Sequence, residues 1–302
     1  MRERTSRACA VLLASMLVLA ACGRRKESLV GTPEHPFVLL LSPSHAPAST
    51  AALDGLARAL GAASGMEFSV RVASSALDSV SRFGYGTADA GILTLDEYLL
   101  ARQEYGVSAW LQVLRGKGSS EYEGVLLVRA RDGVKDLQRL SGKPVAFVDP
   151  YSTSGFLLPA VQLRASGVLI VPEFTGSHAE SVRRLRSGRV DAAATYAGMA
   201  ARHPDLRVLD KTGAIPNEPV VVRKDLLPEK RKAFLEAFAT LGETAEGRKL
   251  LSGIADITGA RPVTERDYQP VHDFLRSTGK TVYDLVPEGW EIHRLNQPYW
   301  QN

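Results

Sequence analysis

The sequence predicts an α/β fold of two lobes, and three observations lead to that prediction. From residue 37 to residue 196, short apolar runs alternate with amphipathic helical patterns. This alternation is typical of mostly parallel central sheets with flanking helices on both faces. The chain has 302 residues, of which 45% are apolar, so it is long enough for two domains of ordinary size. A short segment also recurs within the chain, which favours two lobes of similar construction.

Residues 1–21 have the layout of an export signal. Three arginines lie among the first seven residues, and a short apolar stretch with small residues follows. The segment ends in Leu19-Ala20-Ala21-Cys22, which resembles the lipobox of bacterial lipoproteins. This resemblance implies that Cys22 becomes the lipid-modified first residue of the mature chain. The alternative is an ordinary signal peptide in which Cys22 has no role. Residues 22–36 are polar, with two prolines and two glycines, and are expected to form a flexible tether.

The composition excludes several classes of protein. The signal segment holds three arginines and one glutamate, so its removal lowers the formal net charge from +4 to +2. With so little charge and no basic stripe interleaved with aromatic residues, we expect no binding of nucleic acid. Cys22 is the only cysteine after the signal segment, so we expect neither a disulfide nor a cysteine-bound metal. The chain has no His-Glu-x-x-His pattern, and we predict no metal site and no cofactor.

The first part of lobe I is predicted over residues 37–124. Apolar runs give its strands, and leucines at helical spacing give its helices, as with Leu53, Leu56 and Leu60. In chain order, the predicted elements are strand Phe37–Leu41, helix Ser49–Leu60, strand Phe68–Val72, helix Leu77–Phe83, strand Ala88–Leu93, helix Leu95–Glu104 and strand Ala109–Leu114.

Lobe II is predicted over residues 125–217, and the chain then returns to lobe I over residues 218–302, a mainly helical segment. Two β-rich runs, Tyr122–Val128 and Pro219–Val222, flank lobe II and are predicted to be two crossing hinge strands. Lobes joined in this way form a clamshell with a ligand cleft between them. The predicted elements of lobe II are strand Val145–Val148, helix Thr153–Ala165, strand Leu169–Val171, helix Ala179–Ser187 and strand Ala192–Tyr196.

Residues 79–90 and 181–192 read SVSRFGYGTADA and SVRRLRSGRVDA, and six positions match at a constant offset of 102. In each copy a helix is predicted to end near a glycine, Gly86 or Gly188, which tolerates the left-handed backbone of a helix end. A strand begins just after Asp89 or Asp191 in each copy. Chance similarity between two amphipathic helices is the alternative to an internal repeat.

Residues 149–155 read DPYSTSG, between a predicted strand and a predicted helix. A helix N-terminus has unpaired N–H groups and a partial positive charge, and it therefore attracts anions. Three consecutive hydroxyls add donors, and Gly155 is expected to let the backbone approach a ligand. Pro159, several residues into the helix, predicts a lost hydrogen bond or a kink. Simple capping and turn chemistry is the alternative for the hydroxyls.

The stretch DPYSTSGFLLP, with GTADAGIL, GSHAESV, SGRVDAAA and IPNEP elsewhere in the chain, resembles the phosphate/phosphite/phosphonate-binding family of ABC transporter substrate-binding proteins. The resemblance implies a type II periplasmic-binding-protein clamshell in which an oxyanion sits on the Ser-Thr-Ser helix start. Carried to this chain, it implies that Ser152, Thr153 and Ser154 hold the oxyanion and that His178 adds a donor.

Three residues outside the Ser-Thr-Ser stretch are candidates for ligand contact. His178 starts a predicted helix, where an anion would favour its protonated form and raise its pKa; a capping or surface role is the alternative. Tyr196 ends a strand and either walls the pocket, hydrogen-bonds the ligand or is simply half-buried. Glu218 aligns with an acidic position of relatives that bind amino-alkyl phosphonates, and it is the only carboxylate that the sequence suggests for meeting an amine.

Two places depart from the family pattern. Many relatives have an aromatic residue followed by Gly and then Pro or Asn where this chain has Ile92-Leu93-Thr94-Leu95. Relatives that hold amino-alkyl phosphonates place a carboxylate where this chain has Thr195-Tyr196-Ala197-Gly198. The second departure argues against an aminophosphonate and favours phosphate, phosphite, methylphosphonate or another oxyanion.

The leading hypothesis is a lipid-anchored binding protein of the periplasm or cell envelope, a monomer and not an enzyme. It would capture an oxyanion between its lobes and deliver it to an ABC permease. A sensing protein with the same ligand and a signalling partner is the second hypothesis. The third is a hydrolase using Ser152 or Ser154 with His178 and a carboxylate, Asp149 or Asp191. The lack of a G-x-S-x-G motif argues against the hydrolase.

Overall fold

A computed structural model describes residues 27–45 and 49–296 of the chain. The predicted signal segment, Cys22 and residues 23–26 of the predicted tether lie outside the described residues. Within these ranges the strands form two sheets with helices around them. Among the helices of the same ranges, none combines the length and the apolar character needed to cross a bilayer.

The first sheet consists of β1 (Phe37–Leu41), β2 (Phe68–Val72), β3 (Ala90–Ile92), β4 (Ser108–Arg115), β10 (Pro219–Val222) and β11 (Ile257–Pro262). Their order across the sheet is β11-β4-β10-β3-β1-β2. β1 pairs in parallel with β2 and β3, whereas β10 is antiparallel to β3 and β4, and β11 is antiparallel to β4. β10 and β11 therefore run against the other four strands.

The second sheet consists of β5 (Glu121–Arg129), β6 (Pro144–Phe147), β7 (Val171–Phe174), β8 (Ala192–Tyr196) and β9 (Leu206–Pro216). Their order is β7-β6-β8-β5-β9. β6 pairs in parallel with β7 and β8, and β5 is antiparallel to β8 and β9. In this sheet only β5 runs against its neighbours. The prediction of an α/β fold of two sheets with flanking helices is confirmed, and both sheets are mixed, since four of the nine strand pairings are parallel.

The α-helices of the described residues are α1 (Thr50–Ser64), α2 (Ala76–Gly84), α3 (Leu95–Tyr105), α4 (Leu158–Ala165), α5 (His178–Arg186), α6 (Ala197–Ala200), α7 (Pro228–Leu241), α8 (Ala245–Ala255), α9 (Gln269–Thr278) and α10 (Gly289–Asn296). They cover both faces of the first sheet. Leu39 and Leu41 of β1 pack with α1, α7 and α8, while Leu40 between them packs with α2, α3 and α10. This alternation is the two-residue period of a strand buried on both faces.

The two copies of the repeated segment fold alike. α2 and α5 both have nine residues, and each begins after a serine N-cap, Ser75 or Ser177. Gly86 and Gly188 both adopt positive φ, at 64° and 80°. All these positions keep the offset of 102 seen in the sequence, which supports an internal repeat over chance similarity.

Two strands differ from the sequence-based expectation. β9 is not predicted, because it lies at a sheet edge and nine of its eleven residues are exposed or only partly buried, so it lacks an apolar run. β11 interrupts a segment predicted to be mainly helical, and it contains Gly259 and Pro262, which are rare in strands. The chain passes between the sheets after β4 and again after β9. The domain limits at residues 124 and 217 stay predictions.

Asn217 connects the two passages of the chain between the sheets, and its side chain and main chain are buried there. Its side-chain amide donates to the carbonyls of Val113, at 3.1 Å, and Ser119, at 2.8 Å. Its backbone N–H donates to the carbonyl of Ser120 at 2.8 Å. Its own carbonyl accepts from the hydroxyl of Tyr268 at 3.3 Å. One residue of the second passage thus fixes the position of the first.

We expect Asn217→Ala to lower the free energy of unfolding by about 1–3 kcal/mol, because two carbonyls lose their donor where water does not replace it well. Urea denaturation measures this change. Gln162→Ala is the matched control, because its amide donates to the carbonyl of Lys211 at an exposed place and should cost less than about 0.5 kcal/mol. Equal losses in the two variants would contradict the role given to Asn217.

Candidate functional site

A cleft of about 1150 Å³ lies between the two lobes and is lined by residues of both. It lies at the carboxyl ends of parallel strands, since Ser42 follows β1, Thr94 comes after β3, Val148 follows β6 and Tyr196 ends β8. Ligands of open α/β sheets bind at this end of the strands. The structure brings all the sequence-predicted ligand residues to this cleft: Ser152, Thr153, Ser154, His178, Tyr196 and Glu218.

The helix after β6 starts with one widened, π-helical turn, Thr153–Leu157, which continues directly into α4. The carbonyl of Ser152 accepts from the N–H groups of Phe156 and Leu157, both at 2.9 Å. The hydroxyl of Ser152 accepts from the N–H of Gly155 at 3.1 Å. Among the described residues, no group accepts from the N–H of Thr153 or Ser154. These two donors lie at the positive end of the helix.

Asp149 holds the turn that leads into this helix. One of its carboxylate oxygens accepts from the N–H groups of Tyr151 and Ser152, both at 2.8 Å. Asp149 therefore satisfies the two N–H groups just before the helix, whereas those of Thr153 and Ser154 stay available. The site has two distinct donors whose direction is fixed by the fold.

Gly155 is needed for packing, which corrects the expectation that it lets the backbone approach a ligand. A Cβ at this position would lie 2.4 Å from Val148 Cγ2 and 2.7 Å from Ser152 Oγ, so the protein itself fills the space. Pro159 lies in the first turn of α4, directly after the widened turn. Proline donates no hydrogen bond at this position, and the carbonyl of Gly155, four residues before it, accepts instead from the N–H of Val148 at 3.1 Å.

The three hydroxyls have different surroundings. Ser154 is buried, with 3% of its surface exposed. Its hydroxyl interacts with the phenol of Tyr122 on β5, and burial raises the pKa of that phenol. Ser152 accepts from Gly155 but keeps its own hydroxyl proton for donation. Thr153 is half-buried and, within the described part of the chain, its hydroxyl makes no hydrogen bond. Thr153 is therefore the hydroxyl most available to a ligand.

His178 begins α5 and lines the cleft. Its Nδ1 lies 3.0 Å from the hydroxyl of buried Thr195, and its ring contacts that of Tyr196 edge-on, with centroids 5.0 Å apart. Burial lowers the pKa of His178 to about 4, with Asp149 opposing the shift. The imidazole is neutral at pH 7, so the protonated form expected from the sequence requires an anion beside it.

Glu218 lines the cleft, and its carboxylate forms an ion pair with Arg115. Arg115 Nη2 lies 2.9 Å from Glu218 Oε1, and Arg115 Nε lies 3.3 Å from Glu218 Oε2. This bidentate geometry suits a guanidinium and a carboxylate. The side chains are 27% and 22% exposed, so the pair borders the cleft and adds no net charge to it.

Glu218 is not the only carboxylate at the cleft, because Asp96, Glu97, Asp149 and Asp256 also line it. Asp96 and Glu97 are in the first turn of α3, at the carboxyl end of β3. The sequence does hold a signal for them, since Thr94 followed by Glu97 is a capping-box pattern directly after a strand. Burial raises the pKa of both carboxyl groups, and each has a second carboxylate near it.

The catalytic arrangement of the hydrolase hypothesis is not assembled. Among the described residues no hydrogen bond joins His178 to Ser152 or Ser154, and the imidazole bonds Thr195 instead. Asp191 pairs with Arg129 at 3.5 Å and does not line the cleft. A nucleophile, a base and an orienting group must lie within hydrogen-bond reach for this chemistry. In the described residues, no three potential metal ligands come together either.

The family model described as "ABC transporter, phosphonate, periplasmic substrate-binding protein" matches residues 39–268. The phosphate-import protein PhnD of Mycolicibacterium smegmatis is 29% identical over an alignment of 195 residues, with a coverage of 54% of this chain and 60% of that protein. The phosphonates-binding periplasmic protein of Escherichia coli K12 is 26% identical over 156 residues, 46% of each chain. The chain thus matches about half the length of these curated relatives.

Solved structures share the fold. PhnD1 from Prochlorococcus marinus (MIT 9301), in complex with methylphosphonate, superposes with a TM-score of 0.63 at 18% identity, covering 81% of this chain and 98% of that one. At this identity the likeness concerns the fold alone. The prediction of a type II periplasmic-binding-protein clamshell is confirmed.

The low pKa of His178 predicts that its imidazole is neutral in the ligand-free protein at pH 6. Long-range ¹H–¹⁵N NMR of the ring nitrogens measures this directly, and the His178→Gln variant identifies the signal. Adding inorganic phosphate should raise the pKa, because a neighbouring anion stabilises the imidazolium. A ligand-free titration midpoint near the ordinary histidine value, about 6.5, would show that burial does not control this group.

Proposed function

The chain belongs to the family of periplasmic substrate-binding proteins of phosphonate ABC transporters, and from this premise we propose that its cleft binds an oxyanion of the phosphonate, phosphite or phosphate type. The oxyanion rests on the helix start after β6. The observation that carries the proposal is the pair of N–H groups, of Thr153 and Ser154, that have no acceptor among the described residues. Both point from the positive end of a helix at the cleft edge.

Side chains complete the set of donors. The hydroxyls of Thr153 and Ser152 each offer a proton, and hydrogen bonds to a charged acceptor are stronger than those between neutral groups. His178 becomes protonated when an anion lies beside it, because the anion raises its pKa. One ring nitrogen then donates to Thr195 and the other to the ligand. Oxygens of a phosphoryl group accept several such bonds at once.

We propose further that the protein works in the periplasm and hands its ligand to an ABC permease. The names of the two curated relatives, a phosphate-import protein and a phosphonates-binding periplasmic protein, support this role. A clamshell that closes around its ligand offers the permease a surface that differs between the free and bound states. Lipid on Cys22 would keep the protein at the membrane, as the lipobox-like sequence suggests.

Thr153→Val removes one hydroxyl and keeps the backbone N–H and the side-chain shape. We expect affinity for the best ligand among phosphate, phosphite and methylphosphonate to fall by about 1–3 kcal/mol, the value of a hydrogen bond to a charged group. Isothermal titration calorimetry of the mature chain measures it. Thr240→Val, at an exposed position on α7, is the matched control. An unchanged dissociation constant in Thr153→Val would contradict the assignment, and so would no binding of any of these anions by ligand-free wild-type protein.

Cys22→Ser tests the lipid anchor. We expect the variant to move from the membrane fraction to the soluble fraction, because it has no thiol for lipid attachment. Its affinity for the ligand should not change, since Cys22 precedes the folded lobes. Fractionation with immunodetection and calorimetry give both readouts. A variant that stays with the membrane would show that another part of the chain holds it there.

A further inference from the structure

The cleft contains two helix starts of opposite character. The start after β6 presents the N–H groups of Thr153 and Ser154. The start of α3 presents carboxylates, because the chain places Asp96 and Glu97 in its first turn. Glu97 is fully engaged, since one oxygen accepts from the N–H of Thr94 and the other from the hydroxyl of Ser42, both at 3.0 Å. Asp96 is the carboxylate of this turn that is only partly buried, and it lines the cleft.

Asp96 acts electrostatically on the oxyanion turn. It is close enough to Asp149 that the Asp149 charge raises its pKa, although burial is the larger cause. It also raises the pKa of Tyr122, whose phenol interacts with Ser154. The other charged or titratable groups that line the cleft are Glu97, Tyr151, His178, Tyr196, Arg202, Asp256 and the Arg115–Glu218 pair.

We propose that Asp96 makes the cleft selective for oxyanions that donate a hydrogen bond, so that phosphate, phosphite and phosphonates bind while sulfate is rejected. This inference rests on the proposed function and names the property of the ligand that the site reads. A carboxylate only accepts hydrogen bonds. Inorganic phosphate keeps a hydroxyl throughout the neutral range, whereas phosphite and phosphonates offer one only in their singly ionised form, which becomes the main form as the pH falls toward a second pKa of about 6. That hydroxyl can be donated to Asp96. Sulfate has no proton to offer there.

The selectivity arises because two hydrogen-bond acceptors, the Asp96 carboxylate and an oxygen of sulfate, repel each other when no proton lies between them. A site that hydrogen-bonds a hydroxyl of its ligand strongly rejects an analogue without that hydroxyl, because two groups that repel are left facing each other. With sulfate, the charge of Asp96 meets a dianion and no proton separates them. With hydrogenphosphate, the ligand's own hydroxyl lies between the two charges. Asp96→Asn replaces one acceptor by an amide donor and removes the repulsion.

Calorimetry of the mature chain with inorganic phosphate, methylphosphonate and sodium sulfate tests this at constant ionic strength. We expect wild-type protein to bind phosphate at least about 100-fold more tightly than sulfate. In Asp96→Asn the ratio should fall at least about tenfold, chiefly through tighter sulfate binding. Asp54→Asn, which removes the same charge from an exposed position on α1, should leave the ratio unchanged. An equal ratio in wild type and Asp96→Asn overturns the inference.

The pH dependence of sulfate affinity tests the same inference in wild-type protein, so it does not depend on whether Asp96→Asn folds. Sulfate stays unprotonated between about pH 8 and pH 5, so a change in its affinity reports on the protein. We expect sulfate affinity to rise as the pH falls and Asp96 takes up a proton, and this rise should persist in His178→Gln. Because burial also raises the pKa of Glu97, to about 8, the part of the rise that belongs to Asp96 is the part lost in Asp96→Asn. Sulfate binding as tight as phosphate binding at pH 8 overturns the selectivity and leaves the oxyanion site intact. Failure of all these anions to bind overturns both proposals, and the two failures are thereby distinguished.

Discussion

Two backbone N–H groups with fixed direction are the feature on which the site depends. The widened turn leaves the N–H groups of Thr153 and Ser154 without acceptors among the described residues, and the surrounding contacts keep them so. Asp149 satisfies the preceding N–H groups, and Val148 fills the space beside Gly155. A donor that is oriented before the ligand arrives loses little entropy on binding. Loss of the Asp149 hydrogen bonds or of the Val148 contact would therefore change the orientation of the Thr153 and Ser154 N–H groups, although neither residue itself is altered.

The two lobes contribute different chemistry to one cleft. Lobe II supplies donors, from the helix start and from His178, while the start of α3 on the first sheet supplies carboxylates. The two strand passages, joined by the buried amide of Asn217, keep these surfaces opposite each other. Movement of the lobes about such passages is the usual way in which a clamshell encloses its ligand. The hydrogen-bond donors of lobe II and the acceptors of α3 together then determine which anions bind tightly.

The fold follows largely from patterns that the sequence shows directly. Apolar runs at even spacing, the repeat at offset 102 and the DPYSTSG segment are local signals, and the structure places the corresponding elements as expected. β9 and the role of Gly155 were not predictable in this way, because edge exposure and contact with Val148 are set by distant parts of the chain. The capping box from Thr94 to Glu97 marks the helix start that carries Asp96, but only the assembled lobes place Asp96 in the same cleft as Asp149.

Binding of an oxyanion to the N–H groups of Thr153 and Ser154 can be observed at the amides themselves. Amide NMR of ¹⁵N-labelled mature chain during a titration with inorganic phosphate tests it most directly, because a hydrogen bond to an anion moves the amide proton downfield. We expect the amides of Thr153 and Ser154 to show the largest downfield shifts, whereas those of Asp96 and Glu97 at the start of α3 should not move downfield. Saturable phosphate binding that leaves the Thr153 and Ser154 amides unchanged would contradict it.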